Sequence, residues 1–471
     1  NGRNENKKMT IYLENLAAGL DQINNKSIKI CVAGVGTVGL PLATFLANSG
    51  FSVTGLDISK NRVDEINSAS VKFEYPDDLK KAIAKKKLKA TTNVEEAIKN
   101  TTAIFVCVPT PLNNENAIDI SNLKDVANRI SPFLKRGTIV IVESSVSIGT
   151  TKTMGEIIEK MTGMKIGIDF GLAYCPERYN PSLPLPKNPP KVVYNDNAKD
   201  LKLSNISRIV GGVDDKSRKL AKCFYSQIID VDIIEVSSIE AAEATKLTEN
   251  IFRDVNIALV NELAQVFSKF GLNAFEIIDA AKTKPFAFMA HYPGAGVGGE
   301  CIPVDTWYLI KQAEQIGFDT KLLRQARMVN DYMPFYMISL LEEELKKYNL
   351  TLDSSKITIL GLAYKKNIHD VRLSSTFPIV EKLKEKNSIF EVCDPLIDNF
   401  DSSSFSLTPT SEAFDNSDAI LLVTDHDEFL NLDLTEIKSK MKTPIIIDGR
   451  NFFDEKNISS LGFSYRAIGK P

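Results

Sequence analysis

The chain is poor in the residues that build metal and disulfide sites. It has only three histidines, all far apart, and six cysteines that are scattered without C-x-x-C spacing. Such cysteines are typical of reduced thiols, so we predict no metal site and a cytoplasmic location. No apolar run approaches the roughly 20 residues that span a bilayer, and no secretory signal is visible. We therefore expect no membrane partner.

Neither sign of charge is in large excess. The 57 basic and 60 acidic residues leave a formal charge of −3, which favours neither nucleic acid nor an anionic membrane. The 471 residues allow about three domains, and a hydrophobic content of 43% is ample for packed cores. We expect a multidomain enzyme without a nucleic-acid partner.

Short apolar segments alternate with helix-length segments, which is the pattern of an α/β fold. We predict two Rossmann-like doubly wound domains joined by a long helical central region, from residue 238 to about residue 330. A proline-rich segment, residues 181–190, predicts a loop. The predicted strands are residues 28–33, 51–56, 102–108, 138–143 and 166–175 in the first domain, then one from residue 357, 389–392, 419–423 and 444–447.

A dinucleotide-binding motif follows the first predicted strand. Gly34, Gly36 and Gly39 form G-x-G-x-x-G at the start of a helix, where free N–H groups bind a pyrophosphate. Asp57 ends the next strand, about 20 residues on, where an acid binds the ribose of NAD and repels the phosphate of NADP. NAD is therefore favoured, and NADP is the alternative because the nearby Arg62 is able to bind that extra phosphate. The predicted NAD contacts are Gly34, Val35, Gly36, Thr37, Val38, Gly39, Asp57 and Arg62.

One cysteine lies in a setting that suits a nucleophile. Residues 293–305 place Cys301 after a glycine-rich approach and four residues before Asp305. Glycines let a substrate carbon come close, and the acid can orient a water or the thiol's proton partner. A buried structural cysteine in a glycine-rich loop is the alternative.

These stretches resemble the nucleotide-sugar 6-dehydrogenases, which include the UDP-glucose, GDP-mannose and UDP-N-acetylhexosamine dehydrogenases. The resemblance runs from residue 28 to residue 454 and keeps its motifs in order. It implies that a sugar-nucleotide C6 alcohol is oxidised to a carboxylate with two NAD and a thioester on Cys301. The other matching motifs are V-P-T-P at 108–111, E-S-S-V at 143–146, P-E-R at 176–178, E-A-T-K-L-T-E-N at 243–250, G-L-A-Y-K at 361–365, D-V-R at 370–372 and D-G-R at 448–450.

The resemblance also implies a domain plan and a homodimer or larger oligomer. An apolar stripe at helical spacing in the central region permits such packing but equally permits packing within one chain. The predicted domains are a polar tail with a short helix (1–27), an NAD-binding domain (28–235), a helical dimerisation region with the cysteine loop (236–335) and a UDP-sugar-binding domain (336–471).

By resemblance, Lys246 moves the hydroxyl proton and stabilises an oxyanion, and Asn250 lies one helical turn later on the same face. Glu177, Ser145 and Asp305 match positions that place or activate the hydrolytic water. From the residues alone, a solvated helix residue is the favoured interpretation of Lys246, and the other three are ordinary cap or loop residues in the alternative interpretation. Positions implied to bind substrate are Arg178, Tyr179, Lys246, Asn250, Arg253, Gly298, Tyr364, Lys365 and Arg450, and those implied to meet NAD are Thr110, Ser145 and Arg372.

The substrate follows from one residue of the cysteine motif. UDP-glucose enzymes usually carry lysine before the motif's aspartate, whereas this chain has Val304, as the N-acetylhexosamine group does. We therefore expect UDP-N-acetyl-D-mannosamine, with UDP-glucose as the alternative. Glu300 and Thr306 depart from the family pattern, and the arginine that the family often lends to a partner subunit is missing. A non-covalent NAD dehydrogenase and a non-catalytic sugar-nucleotide-binding protein remain rival classes.

Overall fold

The computed structural model describes residues 11–71, 73, 75–178, 206–397, 400 and 403–471. Those residues form two compact units. The first holds the described residues up to Glu249 together with Trp307–Gln315, and the second holds Asn250–Thr306 and Ile316–Pro471. The segment 181–190 lies outside the described residues. Across the described chain, every helix is too short or too polar to cross a bilayer.

A single parallel-dominated sheet forms the centre of the first unit. Its strands are β1 (Lys29–Ala33), β2 (Ser52–Leu56), β3 (Leu88–Thr91), β4 (Ala103–Val106), β5 (Ile139–Val142), β6 (Gly171–Tyr174), β7 (Ile209–Gly212) and β8 (Ile234–Glu235). In the described part of the unit the order is β3-β2-β1-β4-β5-β6-β7-β8, and the β6–β7 pair is antiparallel. The first six strands follow the order 3-2-1-4-5-6 that binds dinucleotides at the β1/β4 switch point.

Helices cover both faces of this sheet. They are α1 (Leu16–Asn24), α2 (Gly39–Asn48), α3 (Lys60–Asn67), α4 (Pro76–Ala84), α5 (Val94–Ile98), α6 (Ser121–Ile130), α7 (Thr150–Thr162) and α8 (Asp215–Tyr225). Ile30 and Val32 of β1 belong to one buried cluster, and Cys31 and Ala33 belong to the other. Successive side chains of a strand point to opposite faces, so both faces are buried, as a doubly wound fold requires. Helix α1 packs on α8.

Four helices occupy residues 239–347. They are α9 (Ile239–Lys269), α10 (Ala274–Ala281), α11 (Ile302–Gln315) and α12 (Lys321–Lys347). The predicted helical region ended near Asn330, whereas α12 continues to Lys347. In the structure Pro334 lies inside α12. Residues 282–301, which are fully described, contain neither helix nor strand.

A smaller sheet closes the chain. Its strands are β9 (Lys356–Leu360), β10 (Ile389–Cys393), β11 (Ala419–Leu422), β12 (Ile445–Asp448) and β13 (Ser464–Ala467), with α13 (Thr376–Glu385), α14 (Leu434–Lys440) and α15 (Glu455–Ser460). The strands pair in parallel in the order β10-β9-β11-β12-β13. This order places a second switch point between β9 and β11. The predicted fold class is confirmed.

Several strand boundaries differ from the prediction. The predicted strand 166–175 is reduced to β6, because Ile166 makes only an isolated bridge to Phe170. The two-residue strand β8 was missed because it is too short to show a period, and the strands β3, β7 and β13 were also missed. Their sequences are L-K-A-T, I-V-G-G and S-Y-R-A, which contain lysine, glycine or arginine where a continuous apolar run was the signal.

Candidate active site

The glycine turn between β1 and α2 has the shape that a pyrophosphate needs. Gly34 has a φ of +87°, and a Cβ there would lie 2.5 Å from the carbonyl oxygen of Cys107. A Cβ on Gly39 would collide with the carbonyl of Gly34, whereas a Cβ on Gly36 would have no atom within 4 Å. Gly34 and Gly39 therefore close the turn. Gly36 leaves open space beside the free N–H groups at the start of α2, next to the N-cap residue Val38 and the exposed Thr37.

Asp57 follows β2 and binds the same turn. One carboxylate oxygen accepts a hydrogen bond from the N–H of Val35 at 3.1 Å, and the other accepts one from the N–H of Ser59 at 2.9 Å. Nε of Arg62 donates to the carbonyl oxygen of Val35 at 3.1 Å. The acid is therefore held at the carboxyl edge of the sheet, beside the phosphate cradle. This arrangement fits NAD, because such an acid accepts hydrogen bonds from the ribose hydroxyls.

Thr110 and Ser145 meet at the carboxyl ends of β4 and β5. The Thr110 hydroxyl donates to the carbonyl oxygen of Ser145 at 2.7 Å, and the carbonyl of Thr110 accepts a hydrogen bond from the Tyr308 hydroxyl. The neighbouring Ser144 hydroxyl donates to the carbonyl oxygen of Val108 at 2.7 Å. These bonds fix both loops at the edge where a dinucleotide binds in this sheet order.

Lys246 is buried, with 8% of its surface exposed, and is not the solvated helix residue of the alternative interpretation. Its Nζ donates to the carbonyl oxygen of Glu177 at 2.6 Å. The side chain of Glu177 accepts a hydrogen bond from Nη2 of Arg208 at 2.8 Å. The structure thus brings two predicted catalytic residues together and adds Arg208, which sequence reasoning missed because a single arginine outside any motif gives no signal.

Arg178 pairs with an acid of α9. Its Nε and Nη2 contact the Glu249 carboxylate at 3.2 Å and 2.7 Å, and its Nη1 donates to the carbonyl oxygen of Ser207 at 2.7 Å. Its predicted contact with substrate stays a prediction. Tyr179, the next predicted position, lies outside the described residues.

In the second unit, Cys301 directly precedes α11, and it is exposed and not disulfide-bonded. The N–H of Asp305 donates to the carbonyl oxygen of Cys301 at 3.0 Å, which forms the first turn of the helix. The fully buried Asp305 accepts a hydrogen bond from Nδ2 of Asn250 at 2.6 Å. The exposed thiol is unlike the buried structural cysteine of the alternative interpretation. Three predicted catalytic residues therefore belong to one local arrangement.

The glycine approach to Cys301 packs against Tyr364. A Cβ on Gly298 would lie 2.8 Å from Cβ of Tyr364, and one on Gly299 would lie 2.7 Å from its ring. Only glycine permits this contact. Burial, and next the negative charge of the Cys301 thiolate, raise the pKa of Tyr364 to about 12, so its hydroxyl stays a hydrogen-bond donor at neutral pH.

Arg372 ties the segment after β9 to this loop. Its guanidinium pairs with Asp370, with Nη2 at 2.6 Å, and also with Glu300. Glu300 therefore has a structural role at the position where it departs from the family pattern. The predicted contact of Arg372 with NAD stays a prediction.

Three further cations of the second unit match predicted substrate positions. Nε of Arg253 is buried and has no hydrogen-bond partner among the described residues, so it is a donor suited to an anion. Nε of Arg450 donates to the carbonyl oxygen of Val423 at 2.8 Å, which places its guanidinium beside Gly294. Lys365 adjoins Tyr364 and is half-buried.

A buried aspartate–histidine pair near β9 was not predicted. Asp394 accepts hydrogen bonds from the N–H groups of Leu362 and Ala363 at 2.7 Å and 2.8 Å and from Nε2 of His426 at 3.0 Å. Burial opposes ionisation, but the interaction with His426 and the hydrogen bonds from the N–H groups of Ala363 and Leu396 outweigh it and lower the pKa of Asp394. The pair shapes the loop that carries Tyr364. C-D-P after β10 was its only sequence signal.

Comparison with known proteins identifies the same three parts along the chain. Residues 28–229 match the NAD binding domain of the UDP-glucose/GDP-mannose dehydrogenase family, residues 240–332 match its central domain, and residues 358–455 match its UDP binding domain.

Curated relatives and a solved structure agree with the family models. The chain is 35% identical over 451 residues to a UDP-N-acetyl-D-mannosamine dehydrogenase of Methanococcus vannielii, covering 94% of this chain and 97% of that protein. It is 36% identical to the Pyrococcus horikoshii protein of the same name, covering 94% and 99%. A solved structure of UDP-D-ManNAc dehydrogenase from P. horikoshii matches with a TM-score of 0.83 at 35% identity, again covering 94% and 99%.

Proposed function

We propose that this chain, which belongs to the UDP-glucose/GDP-mannose dehydrogenase family of NAD-dependent nucleotide-sugar 6-dehydrogenases, oxidises the C6 alcohol of UDP-N-acetyl-D-mannosamine to a carboxylate. The observation that carries the choice of sugar is the similarity, at 35% and 36% identity over nearly the whole chain, to two UDP-N-acetyl-D-mannosamine dehydrogenases. Val304, the residue that favoured an N-acetylhexosamine in the sequence, supports the same choice.

Cys301 is the proposed nucleophile. Bound NAD accepts one hydride in each of the two oxidation steps. Between the two oxidation steps, the thiolate of Cys301 bonds to the C6 aldehyde carbon and prevents the aldehyde from escaping. Loss of the second hydride leaves a thioester, and water then breaks the C–S bond, which returns the thiol and releases the carboxylate. The start of α11 directly after Cys301 stabilises negative charge on the sulfur.

The remaining catalytic residues have roles in proton transfer and hydrolysis. Lys246 takes the hydroxyl proton and stabilises the oxyanion. Because Lys246 is buried, its charge interacts more strongly with the oxyanion than a solvated charge would. Asn250 donates one amide hydrogen to Asp305 and keeps a second for an oxyanion or a water. Glu177, Ser145 and Asp305 orient the hydrolytic water, and Thr110 and Arg372 contact NAD.

The sugar nucleotide carries two phosphates, which need cations and hydrogen-bond donors. The unsatisfied Nε of Arg253 is the best-supported contact, because an unpaired buried donor costs stability until an anion binds it. Tyr364 supplies a hydroxyl donor. Further proposed contacts are Arg178, Tyr179, Gly298, Lys365 and Arg450.

The test is a substrate panel with two measurements. Purified protein and NAD are incubated with UDP-N-acetylmannosamine, UDP-N-acetylglucosamine and UDP-glucose, and NADH absorbance is followed to the end point. We expect two NADH per UDP-N-acetylmannosamine, and a kcat/KM at least about tenfold above that for UDP-glucose. Preference for UDP-glucose would reassign the substrate. One NADH per sugar would point to an aldehyde-forming enzyme, and no NADH would point to a binding protein.

We also propose a homodimer or larger homo-oligomer. Phe252, Leu259 and Val266 recur at seven-residue spacing on α9 and expose 46%, 54% and 41% of their surfaces. An apolar row on one helix face is suited to a second copy of the same surface about a two-fold axis.

The proposed location is the cytoplasm. Every described cysteine is free, and the mechanism needs Cys301 as a thiol. An oxidising compartment would put that exposed thiol at risk of disulfide formation or oxidation.

A further inference from the structure

A buried ionic cluster lies behind the peptide that joins Pro176 to Glu177. Arg208, 1% exposed, donates from Nη1 to the carbonyl oxygen of Pro176 at 3.0 Å and from Nη2 to the Glu177 carboxylate at 2.8 Å. One guanidinium therefore holds the main chain and the side chain of the same segment. A planar fork of donors suits this double contact, which an ammonium group cannot reproduce.

A second acid lies beside the guanidinium. Glu143 is fully buried, and one of its oxygens lies 3.8 Å from Nη1 of Arg208. Its other oxygen accepts a hydrogen bond from the Tyr225 hydroxyl at 2.5 Å. Removing charges from water is costly, and the Glu143 oxygen near Nη1 has no hydrogen-bond partner among the described residues, so the nearby charge of Arg208 is what offsets its burial.

The segment that Arg208 holds is the one to which Lys246 is bound. Nζ of Lys246 donates to the main-chain carbonyl oxygen of Glu177 at 2.6 Å, while the side chain of Glu177 is held by Arg208. A shift of Glu177 would therefore move its carboxylate and would also displace the main-chain acceptor of Lys246.

Resting on the function proposed above, we infer that Arg208 is a positioning residue for thioester hydrolysis: it fixes the Pro176–Glu177 peptide and so sets the geometry of both Glu177 and Lys246. Arg208 touches neither substrate nor cofactor in this role. If it were only a stabilising ion pair, its loss would lower stability without a selective effect on one chemical step.

The cluster also predicts how hydrolysis depends on pH. Two carboxylates share one guanidinium, and burial raises the pKa of Glu143 to about 7. Below that pH Glu143 is neutral and leaves Arg208 to Glu177, whereas above it the two acids compete. We therefore expect the hydrolysis rate to fall in one step as the pH rises through neutrality. The titratable groups that face Glu143 are Cys107, Cys175, Glu177, Arg208 and Tyr225.

The experiment measures thioester directly. Enzyme is mixed with NAD and UDP-N-acetylmannosamine and quenched at intervals, and the mass of the Cys301 peptide reports how much thioester is present. We expect Arg208→Met to slow hydrolysis by about tenfold to a hundredfold, so that thioester accumulates, with KM within about threefold of wild type. Arg208→Lys should restore part of the rate. The matched control is Arg218→Met, which removes an arginine that bridges Glu235 and Asp215 in the same unit, and it should hydrolyse normally.

A folded Arg208→Met enzyme with the wild-type hydrolysis rate would overturn the inference. If that variant does not fold, Glu143→Gln is the second test of the inference. It keeps an acceptor for the Tyr225 hydroxyl and removes the carboxylate charge beside Arg208. Glu143→Gln should abolish the step near neutral pH, and an unchanged pH profile would overturn the inference. Failure of the proposed function is distinguishable, since the wild-type enzyme would then form no thioester at all.

Discussion

At the scale of single residues, the clearest prediction concerns the thiol. Cys301→Ser should lower turnover by at least about a hundredfold while affinities for NAD and the UDP-sugar change little, because a serine hydroxyl is a far weaker nucleophile at neutral pH. NADH production and calorimetric titration measure the two properties. Cys223→Ser, which alters a half-buried thiol of the first unit, is the matched control and should turn over normally. Wild-type turnover in Cys301→Ser would remove the covalent mechanism.

A second residue-scale prediction separates two glycines of one motif. A Cβ at Gly36 meets no atom within 4 Å, whereas a Cβ at Gly39 collides with the Gly34 carbonyl. Gly36→Val should therefore fold with a thermal midpoint close to wild type but lose NAD binding, because its side chain occupies the pyrophosphate space. Gly39→Val should lose stability itself. Unchanged NAD affinity by calorimetry in a folded Gly36→Val protein would place the cofactor elsewhere.

The sequence predicted residues unevenly at this scale. The glycine turn and Asp57 were predicted from spacing alone. A strand, a glycine turn and an acid at these intervals commonly adopt one geometry, that of a dinucleotide site. Lys246 was predicted as catalytic only through the family resemblance, because lysine is usually solvated and no local sequence pattern indicates a buried one. Arg208 gave no signal, since its partners are distant in sequence and meet only after the sheet has formed.

At the scale of elements, the N-terminus of α7 is capped by a side chain from another helix. Glu243 of α9 accepts hydrogen bonds from the N–H groups of Gly149 and Thr151 at 2.6 Å and 2.9 Å. These N–H groups have no partner within their own helix, so a distant carboxylate replaces the usual local cap.

Glu243→Ala should therefore lower the free energy of unfolding by about 1 to 3 kcal/mol, because it leaves one buried and one partly buried donor unsatisfied. Glu243→Gln should cost less, since its amide oxygen still accepts. The control is Glu240→Ala, which breaks a partly exposed pair with Lys152 and local bonds at the start of α9, and should cost less than about 1 kcal/mol. Urea unfolding of the three variants checks the order, and equal losses in Glu243→Ala and Glu240→Ala would contradict the capping role.

Elements were predictable where their period was clean. Strands β1, β4 and β5 carry buried apolar runs, and the sequence located these strands and β2 to within one or two residues. The antiparallel β7 and the polar β13 were missed because neither has such a run. Their places are fixed by pairing with β6 and β12, which is tertiary information.

At the scale of the whole molecule, the described chain leaves a row of apolar side chains exposed on α9. Among the residues of α9 that are buried in the second unit, Asp254, Ala258, Asn261 and Ala264 are small or polar, and Val260 is the exception. The larger apolar residues Phe252, Leu259 and Val266 are on the exposed side. This reversal of the usual amphipathic pattern is what an oligomer interface requires, because burial against a second copy supplies the missing apolar contact.

The assembly prediction follows from that reversal. Wild-type protein should sediment as a dimer or larger species, and Leu259→Lys should shift it toward the 52.1 kDa monomer, because a lysine at the centre of the row puts a charge into the interface. The matched control is Ile168→Lys, which changes a residue of the first unit with 68% exposure, and it should leave the oligomer intact. A wild-type protein that sediments as an active monomer would contradict the prediction, and it would also remove any need for an arginine from a partner subunit.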